Sequence, residues 1–108
     1  MTQNKEKILI EIGFTKNEAQ IYLTLLKEGT ITAGKLASKC SIHRRSVYDS
    51  LERLISKGIV GYIKINNVKH YSISNPKELL NLIKKKESEL NEILPELNEI
   101  HSHTKAKK

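Results

Sequence analysis

The segment Leu36-Ala37-Ser38-Lys39-Cys40-Ser41-Ile42-His43-Arg44-Arg45-Ser46-Val47-Tyr48 constrains this chain more than any other. It reads as a short helix, a tight turn and a second helix that opens on adjacent arginines. Leu36, Cys40, Ile42 and Val47 fall where a helix-turn-helix pair needs apolar knobs, and Ala37 falls where the two helices must approach closely. Such a unit lays its second helix in the major groove of DNA, with the N-terminal residues of that helix against base edges.

The charge pattern points the same way. Residues 1–29 carry four Lys and four Glu, which cancel. Residues 30–75 carry Lys35, Lys39, Arg44, Arg45, Arg53, Lys57, Lys64 and Lys69 against only Asp49 and Glu52. Residues 76–104 are slightly acidic, and Lys105, Lys107 and Lys108 end the chain. The net charge of +7 is thus concentrated on the helix-turn-helix region and the tail. A basic face attracts a polyanion and releases its counterions on binding. A merely solubilising charge has no reason to track the one DNA-binding motif.

With 108 residues the chain can build a modest core but is small for an enzyme that must also enclose a deep pocket. Trp is absent and Phe occurs once, so that core must come mainly from Ile, Leu and Val. No run of about eighteen apolar residues is present, and the N-terminus lacks the apolar centre of a signal peptide. A cytoplasmic, nucleoid-associated protein without a membrane span is expected. The single cysteine fits a reducing compartment.

Along the chain, residues 3–12 read as a helix with Ile8, Leu9 and Ile12 on one side and Gly13 as its stop. Thr15-Lys16-Asn17-Glu18 is a capping box opening a helix to about Glu28, with Ala19, Tyr22, Leu23 and Leu26 as its apolar stripe. Thr32 caps a short helix over 33–39, and a recognition helix runs from about His43 to Lys57. At 100° per residue, Val47, Leu51, Leu54 and Ile55 face inward, whereas Arg45, Asp49, Glu52 and Ser56 face outward. Residues 59–65 and 68–73 are β-branched and aromatic and flank Asn66-Asn67, a turn signal. A β-hairpin directly after a recognition helix is the wing of a winged helix.

Asn75-Pro76 opens the last element, a helix expected to reach about His101. Ile83, Leu90, Ile93, Leu97 and Ile100 follow a seven-residue repeat that Lys86 interrupts. That stripe exceeds what a small domain can cover, so pairing with a second copy is expected in preference to folding back. Pro95 removes one backbone donor and costs about 3 kcal/mol in an ideal helix interior, which predicts a kink. The expected fold is mainly α with a small β-hairpin: a winged helix-turn-helix over 1–75, a long C-terminal dimerisation helix over 76–104, coiled-coil in kind by its repeat, and a basic tail over 105–108.

The segment Ile12-Gly13-Phe14-Thr15-Lys16-Asn17-Glu18-Ala19-Gln20-Ile21-Tyr22-Leu23-Thr24-Leu25-Leu26 resembles the opening of the DNA-binding domain of TrmB-family regulators. The likeness continues through Leu36-Ala37, Val47-Tyr48-Asp49-Ser50-Leu51-Glu52-Arg53-Leu54, Lys57-Gly58-Ile59-Val60, Pro76 and Leu94-Pro95-Glu96-Leu97. The resemblance implies a winged helix-turn-helix transcription factor, usually dimeric, on duplex DNA. Ser41 stands where the family often has Gly, and His43 where Pro is common. Larger members carry a C-terminal domain that binds sugars. This chain stops before such a domain, so no small-molecule effector or cofactor is expected.

Roles follow from position. Arg45 is the candidate for bidentate pairing with guanine, and Arg44 and Ser46 are candidates for phosphate. His43 could donate to either, and Tyr48 could reach phosphate or pack on the preceding helix. Lys35 and Lys39 should lie near the DNA backbone, and Lys64, Asn66, Asn67, Lys69 and His70 populate the wing. Cys40 and His43, three apart, have a spacing seen among metal ligands, but Cys40 sits at a packing position, so no metal site is expected. No phosphate loop or nucleophile arrangement is visible, and the helix glutamates read as a solvated face. The leading expectation is a sequence-specific homodimeric regulator. A low-specificity chromatin protein that coats or bridges DNA is the alternative, and a protein-interaction module a third reading.

Overall fold

In the computed structural model, which describes residues 2–106, five helices and one hairpin follow in the order α1 (Thr2–Glu11), α2 (Lys16–Glu28), α3 (Ala33–Cys40), α4 (Arg44–Ser56), β1 (Val60–Ile65), β2 (Val68–Ile73) and α5 (Glu78–Ala106). The chain divides into two units, Met1–Glu78 and Leu79–Lys108. This is a winged helix followed by a long helix.

Local chemistry sets most boundaries. The Thr15 side chain accepts from the Glu18 N–H at 3.1 Å, and the Glu18 carboxylate accepts from the Thr15 N–H at 2.8 Å, closing the capping box. Thr32 caps α3 through the Lys35 N–H. Ser41 ends α3 in the left-handed region at φ 53°, where glycine is the usual occupant. Gly58, at φ 78°, turns the chain out of α4. Asn66 and Asn67 have φ of 52° and 65°, the two successive positive values of a type I′ hairpin turn, and Ile65 pairs with Val68 across it. Ile31 adds a backbone bridge to Tyr71, which ties the start of α3 to the hairpin.

The core is aliphatic: Leu9, Ile21, Leu25, Ile31, Leu36, Val47, Leu51, Leu54, Ile59 and Val60 are buried, joined by Phe14, Tyr22 and Tyr71. Phe14 meets Tyr22 edge to face at 5.7 Å between centroids. Val47, Leu51 and Leu54 are buried as their spacing predicts, and Ile55 is half-buried.

Three expectations shift. Among the described side chains of α1 Leu9 alone is buried; Ile8, one residue away and about 100° around the helix, is 55% exposed. The buried stripe of α2 is Glu18, Ala19, Ile21, Tyr22 and Leu25, with Leu23 half-buried and Leu26 exposed. That helix packs against α1, α3, α4 and β2, so its covered arc is wider than one face and rotated toward Ile21 and Leu25. The last helix starts at Glu78 instead of Pro76, because Asn75 Oδ1 accepts from the Lys77 N–H in a preceding turn.

The second unit is that helix. It continues unbroken past Pro95 and beyond His101 to Ala106. Of the expected basic tail, Lys107 and Lys108 lie outside the described residues, as does the Lys105 side chain. Ile83, Leu90, Ile93, Leu97 and Ile100 are all exposed, between 41% and 61%.

Candidate nucleic-acid interface

The recognition helix α4 is held on one side and free on the other. Val47, Ser50, Leu51 and Leu54 are buried against the core, which leaves Arg45, Asp49, Glu52 and Ser56 exposed on the opposite face. His43 is the N-cap, its Nδ1 accepting from the Arg45 N–H at 3.3 Å. A ring nitrogen that accepts carries no proton, so the remaining ring N–H of a neutral His43 is on Nε2. The cap aims Arg44 and Arg45 into solvent at the first turn of the helix, and Ser46 beside them is half-buried.

Arg44 is braced. Its guanidinium lies 6.0 Å from the centroid of the Tyr48 ring, and a Cβ placed on Gly34 would come within 3.4 Å of its Nη2. Gly34 thus leaves α3 bare where the guanidinium crosses it. The sequence carried a signal for this contact, a glycine inside an eight-residue helix, where it costs about 1 kcal/mol relative to alanine.

Arg44 and Tyr48 share a cleft of about 490 Å³ with Lys64, Asn67 and Lys69 of the hairpin, floored by Thr32, Gly34, Glu52 and Tyr71. Burial raises the Tyr71 hydroxyl above its ordinary value, with Tyr48, Tyr62 and Glu52 adding to the effect, so it stays protonated. Lys64 faces Lys69 directly across the hairpin, and Lys69 Nζ sits 4.4 Å from the Tyr62 ring centroid. Asn66 and Asn67 are exposed at the hairpin tip. Lys35, Lys39 and half-buried His70 lie elsewhere, along a second groove of about 550 Å³ with Glu28, Thr30, Ile31 and Thr32. Arg45 lines neither recess.

Not every cation of the basic region is available to a ligand. Glu18, 1% exposed, accepts from Arg53 Nε at 2.8 Å and Lys57 Nζ at 3.2 Å. Arg53 also donates to buried Ser50, and Lys57 lies 5.0 Å from the Phe14 ring centroid. Burial of Glu18 opposes its ionisation, but hydrogen bonds from the Thr15 N–H, Arg53 and Lys57 outweigh that and hold the carboxyl below its ordinary value. Arg53 and Lys57 therefore belong to the scaffold, and Lys39 is paired with Glu28 at 3.5 Å. The sequence signal for the buried cluster was an acid at Glu18, in step with Ile21, Tyr22 and Leu25.

Cys40 is half-buried, with Sγ 3.3 Å from the Thr24 hydroxyl. Thr24 donates its own hydroxyl proton to the Gln20 carbonyl, so the thiol is the donor. Among the described residues, no three His, Cys, Asp or Glu side chains are grouped to hold a metal ion. No helix among them is long and apolar enough to cross a membrane.

Residues 9–78 match the family described as the sugar-specific transcriptional regulator TrmB. A Bacillus subtilis (strain 168) protein of uncharacterised function, YrhO, is 34% identical over 80 residues, which is 74% of this chain and 29% of YrhO. Among solved structures, the archaeal chromatin protein TrmBL2 superposes on 99% of this chain with a TM-score of 0.75 and 24% identity, and the match spans 39% of TrmBL2. A possible transcriptional regulator from Methanosarcina mazei covers 85% of the chain and 83% of its own, at TM-score 0.66 and 22% identity. A protein from the thermoacidophilic archaeon Sulfolobus tokodaii covers 80% and 93%, at TM-score 0.61 and 28% identity. This chain spans less than half the length of YrhO or TrmBL2. The family pattern runs from Leu9 in α1 through the start of α5, over the same elements that build the winged helix, and the chain belongs to the TrmB family of transcriptional regulators.

Proposed function

We propose that this chain is a sequence-specific regulator that binds double-stranded DNA as a homodimer. The observation that carries the reading is the placement of Arg45. It stands exposed in the first turn of α4, two residues after the His43 cap, on the face opposite the buried Val47, Leu51 and Leu54. An arginine there meets a guanine edge when the helix lies in a major groove. Arg44, Ser46 and Tyr48 then contact phosphate on the flank, and Lys64, Asn66, Asn67 and Lys69 bring the wing to the adjacent minor groove. Lys35 and His43 add backbone contacts, and Lys39 does so in competition with Glu28. Dimerisation falls to Ile83, Leu90, Ile93, Leu97 and Ile100, an exposed apolar stripe with no cover in the single chain. No effector or cofactor enters this reading.

The test is fluorescence anisotropy on labelled duplexes over a salt series. Arg45→Ala should cost about 1–3 kcal/mol on preferred sequences and relax discrimination at one position, whereas Lys64→Ala should weaken all sequences alike and flatten the salt dependence. Unchanged affinity and preference in Arg45→Ala would remove the groove assignment. Binding that fades with salt without any preference would instead favour the chromatin-coating alternative.

A further inference from the structure

The hairpin has two unlike faces. Strand pairing sets Tyr62 opposite Tyr71 and Lys64 opposite Lys69 on one, and Ile63 opposite His70 and Ile65 opposite Val68 on the other. The first face covers the core through buried Tyr71 and lines most of the hairpin side of the cleft beside α4, whose edge at the tip Asn67 and Val68 also reach. The second leaves three β-branched side chains in water: Ile63 is 60% exposed, Ile65 46% and Val68 49%. They gather at the tip, where solubility alone would favour polar residues.

Charge on the opposite face of the same two strands bears on what covers this one. From Val60 to Ile73 the hairpin has no acidic residue, and its two lysines stand directly opposite each other. Like charges in that position disfavour pairing, relieved here in part by Lys69 lying over Tyr62. An apolar protein partner would account for the isoleucines but not for the lysine pair. A polyanion with an apolar interior accounts for both, and the minor groove, walled by phosphate and floored by stacked bases, is one. The cleft beside α4 has room for the sugar–phosphate strand that separates the grooves. A strand seated there, against Arg44, Lys64 and Lys69 with Val68 at its edge, places the hairpin tip and Ile65 in the minor groove.

We propose that Ile65 and Val68, flanking the Asn66-Asn67 tip, form an apolar wedge that enters the minor groove, opens a base step and bends the duplex. Minor-groove proteins use apolar wedges of this kind to trade stacking for a wider wrapped surface. Ile63 lies behind the wedge against the groove wall, and the asparagines face the base edges. The proposal rests on the DNA-binding reading above and adds deformation to it, so that preference arises at flexible steps the recognition helix never touches.

The test uses the full chain and a duplex of about 30 base pairs rich in TA steps, since such steps unstack most readily. The duplex carries 2-aminopurine beside several of those steps and a donor–acceptor dye pair at its ends. At low salt, binding of the wild type should raise 2-aminopurine emission at least about twofold and shorten the end-to-end distance. The Ile65→Ser, Val68→Ser double variant should still bind within about tenfold of the wild type, because the phosphate contacts remain, and leave both signals at their free-duplex level. Both positions are exposed, and far-UV circular dichroism confirms the fold. Wild-type binding with neither signal changed, or a double variant that opens the step as the wild type does, overturns the wedge and leaves the DNA reading standing. Failure of the wild type to bind any duplex overturns both. A double variant that sediments as a monomer where the wild type is a dimer also overturns the wedge, since the face would then be a protein seam.

Discussion

Glu18→Gln separates scaffold from binding surface, and its cost can be worked from the contacts. Glu18 accepts three hydrogen bonds, from the Thr15 N–H, Arg53 Nε and Lys57 Nζ. The Thr15 contact is half of a capping box, worth about 1 kcal/mol. Charge-assisted bonds to buried groups run to about 3 kcal/mol, but the Arg53 side chain is 49% exposed and screened by water. Lys57, at 23% exposure, keeps more of its share. A glutamine can keep its oxygen on the Thr15 N–H and Lys57 but then turns an NH2 toward Arg53 and loses the charge, so we expect a loss of about 2 kcal/mol at neutral pH, and about 3 kcal/mol for Glu18→Ala. The folded pKa of Glu18 lies below its ordinary 4.5, so the stability it contributes is complete above that value. It is lost as pH falls through the folded pKa. Urea unfolding of wild type and Glu18→Gln at one protein concentration, near pH 7 and near pH 3, should therefore show the gap closing in acid. Other carboxylates are common to both chains and drop out of the difference. Equal stability near pH 7, or a gap that persists undiminished in acid, refutes the argument.

Two further outcomes are expected. Asn67→Gly should stabilise by a few tenths of a kcal/mol, while Asn67→Val, which forces a β-branched residue to φ 65°, should cost more than about 1 kcal/mol in thermal unfolding. Leu90→Asp, at the centre of the α5 stripe, should shift sedimentation from dimer to monomer and lower DNA affinity by loss of the second half-site; a variant that sediments as the wild type does would move dimerisation off that stripe.

What was legible in the sequence is what is local. The Thr15 box, the Thr32 cap and the Asn66-Asn67 turn are each decided within four residues, and all three stand as expected. The inward face of α4 was legible because that helix buries one side only. The stripe of α2 was not, since burial on several sides widens the covered arc beyond a single period. The Glu18 cluster joins residues 35 and 39 positions apart, which no spacing rule reaches. All eight cations of the basic region were read as one open face; five have no acid partner among the described residues, and the pairing of Arg53, Lys57 and Lys39 was not foreseen. The end of α5 was set too early, at about His101, although the residues from there to Thr104 include no Gly or Pro to stop a helix.

The internal capture of cations by Glu18 and Glu28 bears on how a cell could tune this protein. On the proposed reading, with Arg45 on a base, the grip on phosphate would fall mainly to Lys35, Arg44, Lys64 and Lys69. Four such contacts give a logarithmic slope near 0.9 per contact, so each doubling of ionic strength loosens a protomer roughly tenfold. Under that proposal a rise in salt inside the cell would by itself loosen its hold on DNA.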